Sequence, residues 1–203
     1  MCGAFEQHGV AMHEWAALLS EWPANDASRI NIRPTDMAGT LDATGYALRR
    51  WSLIPHWSKY PKLKFATFNA RAESLTEKPS FRDAWHQSQR CIIPVSAYFE
   101  WPVVDGNKQC HRLARQDGGA ILLGGLWENW TQGELALNTF TIITTAAASD
   151  VAWVHSRTPL LIDPAYIDQW LRGSPEEAGK LLRSREKSSL LATGVASPKD
   201  SSK

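Results

Sequence analysis

Between Tyr46 and Thr145 the sequence is a succession of short β-forming runs cut by prolines and turn residues, and this limits the fold more than any other feature. Tyr46 to Ile54 reads as a strand, after which Pro55 and Pro61 bracket an irregular loop carrying Trp57. Cys91 to Trp101 is apolar and rich in β-formers. Asp105-Gly106 is a tight-turn signal ahead of a second strand around Cys110 to Ala114, so the pair predicts a hairpin. Ala120 to Trp127 and Thr139 to Thr145 are two further strands, separated by a polar loop at Asn129 to Glu134. Helices are confined to the margins. His13 to Glu21 carries apolar residues near helical spacing, and Pro79 opens a helix running to about Gln89. Asp163-Pro164 and Ser174-Pro175 each place a capping side chain before a proline at a first helical position. The expected fold is α+β: an antiparallel, barrel-like sheet with flanking helices, one domain over residues 1–196, and a polar tail over 197–203.

A length of 203 residues suits one domain, and 43% hydrophobic residues with 13 glycines describe a globular chain, neither disordered nor collagen-like. No apolar run reaches the ~18 residues a membrane span needs, and the N-terminus lacks a basic region followed by an apolar one, so a cytoplasmic protein is expected. The three cysteines, Cys2, Cys91 and Cys110, include no CxxC pair. Neither a disulfide framework nor a thiolate metal site is indicated, and no cofactor is expected. A metal role for Cys110-His111 is disfavoured because adjacent strand residues point to opposite faces.

The net charge of +1 says little, but its distribution is uneven. From Ala43 to Ala72 there is no acidic residue, while Arg49, Arg50, Lys59, Lys62, Lys64 and Arg71 supply positive charge. Tyr46, Trp51, Trp57, Tyr60, Phe65 and Phe68 are interleaved with them. Cations beside aromatic faces suit single-stranded nucleic acid, neutralising phosphates and stacking unpaired bases. The same composition also suits a solvated edge with its aromatics turned inward.

Cys2 stands directly behind Met1. Removal of Met1, expected before a small second residue, leaves an α-amine and a thiol on one residue. Such a terminus suits two chemistries. In one, the thiol attacks an amide with the amine as its base. In the other, the amine condenses with an aldehyde and the thiol closes onto the imine as a thiazolidine.

Six segments then occur in order: Met1-Cys2-Gly3, Asn31-Ile32-Arg33-Pro34-Thr35, Trp51-Ser52-Leu53-Ile54-Pro55-His56-Trp57, Phe68-Asn69-Ala70-Arg71-Ala72-Glu73, Tyr98-Phe99-Glu100-Trp101 and His155-Ser156-Arg157-Thr158-Pro159. Together they resemble the SRAP family, the SOS-response-associated peptidases or abasic-site processing proteins, over about residues 2 to 172. The resemblance implies a protein of the DNA damage response that binds single-stranded DNA and forms a reversible thiazolidine crosslink with the ring-opened aldehyde of an abasic site. It implies Cys2 as the nucleophile, Asn69 as the group holding the N-terminus and opened sugar, Glu100 as acid/base and His155 as an aid to proton transfer. Arg71 and Arg157 would meet phosphates, and Trp57 and Trp101 would offer stacking faces, whereas Trp15, Trp85, Trp127, Trp153 and Trp170 read as packing. By residue type alone, Asn69 also suits a turn cap, Glu100 a surface acid and His155 a loop position. A monomer acting at damaged or replicating DNA is the expected working form.

Two departures from the family pattern stand out. Ala4 replaces a usual arginine, removing a basic contact beside Cys2, and Ser52 replaces a usual glycine. The chain also stops short of the family's usual C-terminal segment. Two other readings stay open: an N-terminal cysteine amidohydrolase of the glutamine amidotransferase type, and a non-enzymatic single-strand binder.

Overall fold

The computed structural model describes residues 2–7, 29–183 and 185–198; the helix expected at His13 to Glu21 lies outside them. The strands, in chain order, are β1 (Ala4–Gln7), β2 (Arg29–Ile32), β3 (Met37–Asp42), β4 (Gly45–Trp51), β5 (Asn69–Arg71), β6 (Arg90–Val95) and β7 (Ala97–Glu100). They continue with β8 (Val103–Val104), β9 (Asn107–Lys108), β10 (His111–Arg115), β11 (Ile121–Gln132), β12 (Leu135–Ala146), β13 (Arg157–Pro159) and β14 (Leu190–Gly194). One sheet runs β14-β10-β7-β1-β2. The other runs β11-β6-β3-β4-β12-β13, and β11 also pairs with β12, so five of its strands form a ring.

The ring is not wholly antiparallel as expected: β12 receives both β4 and β5 in parallel. The long β11 and β12 account for a second difference. Asn129 to Glu134 was expected as a loop, but the two strands stay paired out to Gln132 and Leu135, and the reversal is confined to Gly133-Glu134. Gly133 takes φ 59°, a backbone state open to glycine without steric penalty.

The apolar run Cys91 to Trp101 forms two strands rather than one. It leaves the ring at Ser96, whose N–H donates to the Glu6 carbonyl, and enters the five-stranded sheet as β7. Every residue from Arg90 to Glu100 is buried, because this segment lies where the sheets meet. The β7/β10 hairpin forms as the turn signal predicts. Asp105 and Gly106 take φ 50° and 77°, the pair of positive values a tight hairpin turn needs, and one register runs outward from them through β8/β9 to β7/β10.

Trp51 centres the main core. It is fully buried, its ring lies 4.9 Å from Phe5 and 6.3 Å from Phe140, and its Nε1 donates to the Phe68 carbonyl. A second core lies under three short helices: α1 (Arg82–His86), α2 (Ile167–Arg172) and α3 (Pro175–Gly179). Trp85 and Trp170 pack there with centroids 6.1 Å apart, and Arg90 lies against both rings. The Pro79 helix is shorter than expected because residues 73–81 wind as successive turns. Ser174 and Glu177 form the reciprocal cap that starts α3. Among the described residues no helix is long and apolar enough to cross a membrane.

Candidate functional site

The N-terminal segment enters the five-stranded sheet beside β7, with Ala4 opposite Phe99 and Phe5 opposite Tyr98. Cys2 therefore lies near the end of β7, where Glu100 stands. The Cys2 side chain is fully buried; its thiol donates weakly to the Ala4 carbonyl at 3.7 Å. Its carbonyl accepts a 2.8 Å hydrogen bond from Asn69 Nδ2. Asn69 is held by the parallel pairing of β5 with β12, opposite Ile142, and its Oδ1 is buried without a partner among the described residues. One amide thus anchors the N-terminal strand and keeps an acceptor available.

Glu100 is 5% exposed, and burial pushes its carboxyl above the usual carboxylate range. Burial, reinforced by the Glu100 charge, also raises the Cys2 thiol, so the resting sulfur is protonated. A carboxyl brought toward neutrality beside a protonated thiol is equipped to exchange protons.

His155 arrives from the other sheet, on the turn preceding β13. Val151 and Val154 bury their side chains, and Asp150 accepts from the Ser188 N–H and hydroxyl, so this turn is pinned on both sides. The Arg157 N–H donates to His155 Nδ1 at 2.9 Å, which puts the neutral ring's proton on Nε2. Burial lowers the His155 pKa, so the ring is a neutral N–H donor. Trp153 of the same turn packs edge-on against His111 at 5.2 Å, and His111 is the register partner of Glu100. The turn is thereby tied to the end of β7.

The expected DNA contacts divide. Arg71 is exposed at the end of β5. Arg157 is engaged: its fork meets both Glu73 oxygens at 2.7 and 2.8 Å and also donates to the Thr144 carbonyl at 2.5 Å. Trp57 is 47% exposed, with Nε1 donating to the Pro79 carbonyl. Trp101 is half-buried against Ala4, Phe99 and Cys110, and its Nε1 donates to Ser197, so the first residue of the expected tail is bound.

Parts of the basic stretch face inward. Arg49 is buried in an ion pair with Asp42 and lies over the Trp127 ring, while Trp51 belongs to the core. Exposed cations and aromatics remain on the loop over residues 52–68: Lys59, Lys62 and Lys64 with Trp57, Tyr60 and Phe65. A groove of about 240 Å³ opens there, lined by Pro34, Thr35, Arg50, Ser52, Lys62 and Phe65 among others. Ala4 does not mark a missing surface contact as expected. It is fully buried, because the half-buried Trp101 and Val195 cover that face of β1. Trp153, read as packing, is 55% exposed, whereas Trp85 and Trp170 are buried as expected.

Three neighbours of the site, Tyr98, His111 and Trp153, were given no part in it by the sequence reading. Tyr98 precedes Glu100 by two residues on one strand, a spacing that alone puts both on the same face.

This two-sheet fold with an N-terminal cysteine held at the junction defines a class. Residues 1–198 match the family described as SOS response associated peptidase (SRAP), and the chain belongs to that family. Among curated proteins it is similar to the abasic site processing protein YoaM of Bacillus subtilis (strain 168), 37% identical over 124 residues, covering 60% of this chain and 54% of the relative. It is also similar to the abasic site processing protein YoqW of the same organism, 35% identical over 147 residues, covering 70% and 65%. The match thus spans between about half and two thirds of these relatives' length. A crystal structure of a Bordetella bronchiseptica protein shares the fold, with a TM-score of 0.84 at 23% identity over 96% of this chain and all of that one.

Proposed function

We propose that the protein processes abasic sites in single-stranded DNA by crosslinking itself to them, as one SRAP-like domain over residues 1–196. The observation that carries this reading is the anchoring of the N-terminal cysteine by Asn69 beside a buried carboxyl, Glu100. Removal of Met1 frees the Cys2 amine. Glu100 gives a proton to the ring oxygen of the deoxyribose and takes one from the C1′ hydroxyl as the sugar opens to the aldehyde, and Asn69 holds the N-terminal segment and offers Oδ1 to the opened chain. The amine condenses with the C1′ aldehyde, releasing water and giving an imine. The thiol S–H then adds across the C=N bond: sulfur bonds to carbon, the proton goes to nitrogen, and a five-membered thiazolidine closes. His155 supplies its Nε2–H to the developing charge on sugar or phosphate; for release, a proton passed by way of Glu100 from nitrogen to sulfur breaks the C–S bond, and water then hydrolyses the imine to free amine and aldehyde. Arg71 meets phosphate, Arg157 does so by exchanging Glu73 for it, and Trp57 and Trp101 stack bases. The working form is a monomer in the cytoplasm at damaged or replicating DNA.

The test is the intact mass after mixing with abasic single-stranded DNA. A denaturation-resistant adduct is expected from wild type and none from Cys2→Ala. A Cys2→Ala variant that crosslinks equally without reductant sinks the mechanism. Ammonia release from glutamine would instead identify an amidotransferase, and DNA binding without any adduct a passive binder.

A further inference from the structure

A buried hydroxyl normally finds a partner, because leaving it unpaired in the interior costs about 1–3 kcal/mol. Tyr98 is fully buried, and its hydroxyl has no hydrogen-bond partner among the described residues. It stands on β7 two residues before Glu100, so both side chains share one sheet face, and it packs in the same cluster as Cys2. The nearby charges of Cys2, Glu100 and Asp150 all act on the phenol.

The Cys2 sulfur has the complementary need. At rest its thiol lies 3.7 Å from the Ala4 carbonyl, and burial holds it protonated. Thiazolidine closure makes the sulfur give up its proton while it attacks carbon, and a sulfur gaining negative charge in a buried site requires a donor. One Asn69 Nδ2–H is engaged by the Cys2 carbonyl, and at the sulfur burial and the Glu100 charge oppose ionisation while the N-terminal charge and the Ala4 backbone favour it.

We infer that Tyr98 is a further catalytic residue for ring closure, its hydroxyl donating a hydrogen bond to the Cys2 sulfur as the S–H proton leaves for the imine nitrogen. The phenol keeps its own proton throughout, so the stoichiometry of the closure is unchanged. The inference rests on the crosslinking chemistry proposed above. The charged groups that act on the sulfur are Glu100 from β7 and the N-terminal amine, and those that act on the Tyr98 phenol are Cys2, Glu100 and Asp150.

The test compares wild type, Tyr98→Phe and, as a control for a buried unpartnered hydroxyl outside this cluster, Thr141→Val. Protein lacking Met1 is mixed with abasic single-stranded DNA and sampled with and without borohydride, which captures the imine. In parallel, DNA-free protein is mixed with glycolaldehyde and ring closure is followed by mass and by loss of free thiol. Tyr98→Phe is expected to form imine at the wild-type rate but to close the ring about tenfold or more slowly, the typical weight of a hydrogen bond to a charged group. Its closure-rate profile moves to higher pH, which a merely structural role would not produce, and its melting temperature holds or rises because an unpaired hydroxyl has gone. Thr141→Val closes at the wild-type rate. Wild-type closure rates and pH profile for Tyr98→Phe in both arms overturn the inference, as does equal slowing by Thr141→Val. If wild type closes on glycolaldehyde but makes no DNA adduct, the abasic-site reading fails, while slowing by Tyr98→Phe in the glycolaldehyde arm still supports its role at Cys2.

Discussion

Ser52 offers a stability test at the site's rim. It has φ 109°, where side chains other than hydrogen crowd the backbone, and the family usually has glycine there. Its N–H donates to the Phe140 carbonyl at 2.9 Å, a bond that ties the end of β4 to β12 and fixes the conformation whatever the residue. Strain of this kind costs about 1–3 kcal/mol. Glycine relieves it but gives back about 0.5–1 kcal/mol through the extra freedom of the unfolded chain. Ser52→Gly should therefore stabilise by about 0.5–2 kcal/mol. At roughly 2–4 °C per kcal/mol for a domain of this size, the melting temperature should rise by a few degrees. Thermal and urea unfolding should agree on the gain, and Ser52→Ala should show none, since alanine keeps the Cβ. An unchanged or lowered melting temperature for Ser52→Gly would refute the reasoning, because it would mean the backbone is relaxed at that angle or the serine side chain makes a stabilising contact.

Two further predictions follow from burial and charge. A carboxyl raised in the folded state stabilises the fold while protonated; that contribution is full below the unfolded pKa of ~4.3 and is lost as pH rises through the folded value. Stability of Glu100→Gln relative to wild type should therefore grow from about pH 4 toward neutrality while crosslinking and its reversal both slow; a constant difference across that range in denaturant titrations would exclude a raised Glu100. Arg49→Ala should destabilise by about 3 kcal/mol by leaving the Asp42 charge buried with only its Thr44 hydrogen bonds, without altering the salt dependence of DNA binding. Arg71→Ala should leave stability within ~0.5 kcal/mol and reduce the salt slope of single-strand binding by about 0.7; the reverse assignment of effects would show that the inward and outward arginines have been confused.

The strands were legible in the sequence wherever a local signal fixed them. Asp105-Gly106 is the best case: a two-residue turn dictates every pairing outward from it, so the Glu100–His111 contact was implicit in the sequence once the hairpin was recognised. Ser96 shows the opposite. Within the largely apolar run, one buried serine looks like any other strand position and does not mark where the chain passes from one sheet to another, because the segment is buried throughout. The basic stretch was legible as composition but not as orientation. Arg49 and Arg71 look alike in sequence, and only the pairing of β3 with β4, which brings Asp42 within reach of Arg49, separates a buried ion pair from an exposed cation. Asn69, Glu100 and His155 were singled out only through ordered motifs, since no local rule joins three residues spread over so much of the chain.

That spread explains why the site lies where it does. Cys2 comes from β1's approach, Tyr98 and Glu100 from β7, Asn69 from β5 and His155 from the turn before β13, so two sheets contribute to it. Neither sheet alone carries all of these candidate residues, and at the junction Cys2, Tyr98 and Glu100 are sealed from solvent. Sealing raises the Glu100 carboxyl and the Cys2 thiol together. A raised carboxyl is an advantage for passing protons at neutral pH, but a raised thiol is an obstacle to forming a carbon–sulfur bond. That tension is why the Tyr98 hydroxyl, buried without a partner in the same cluster as Cys2, is the donor proposed for the sulfur.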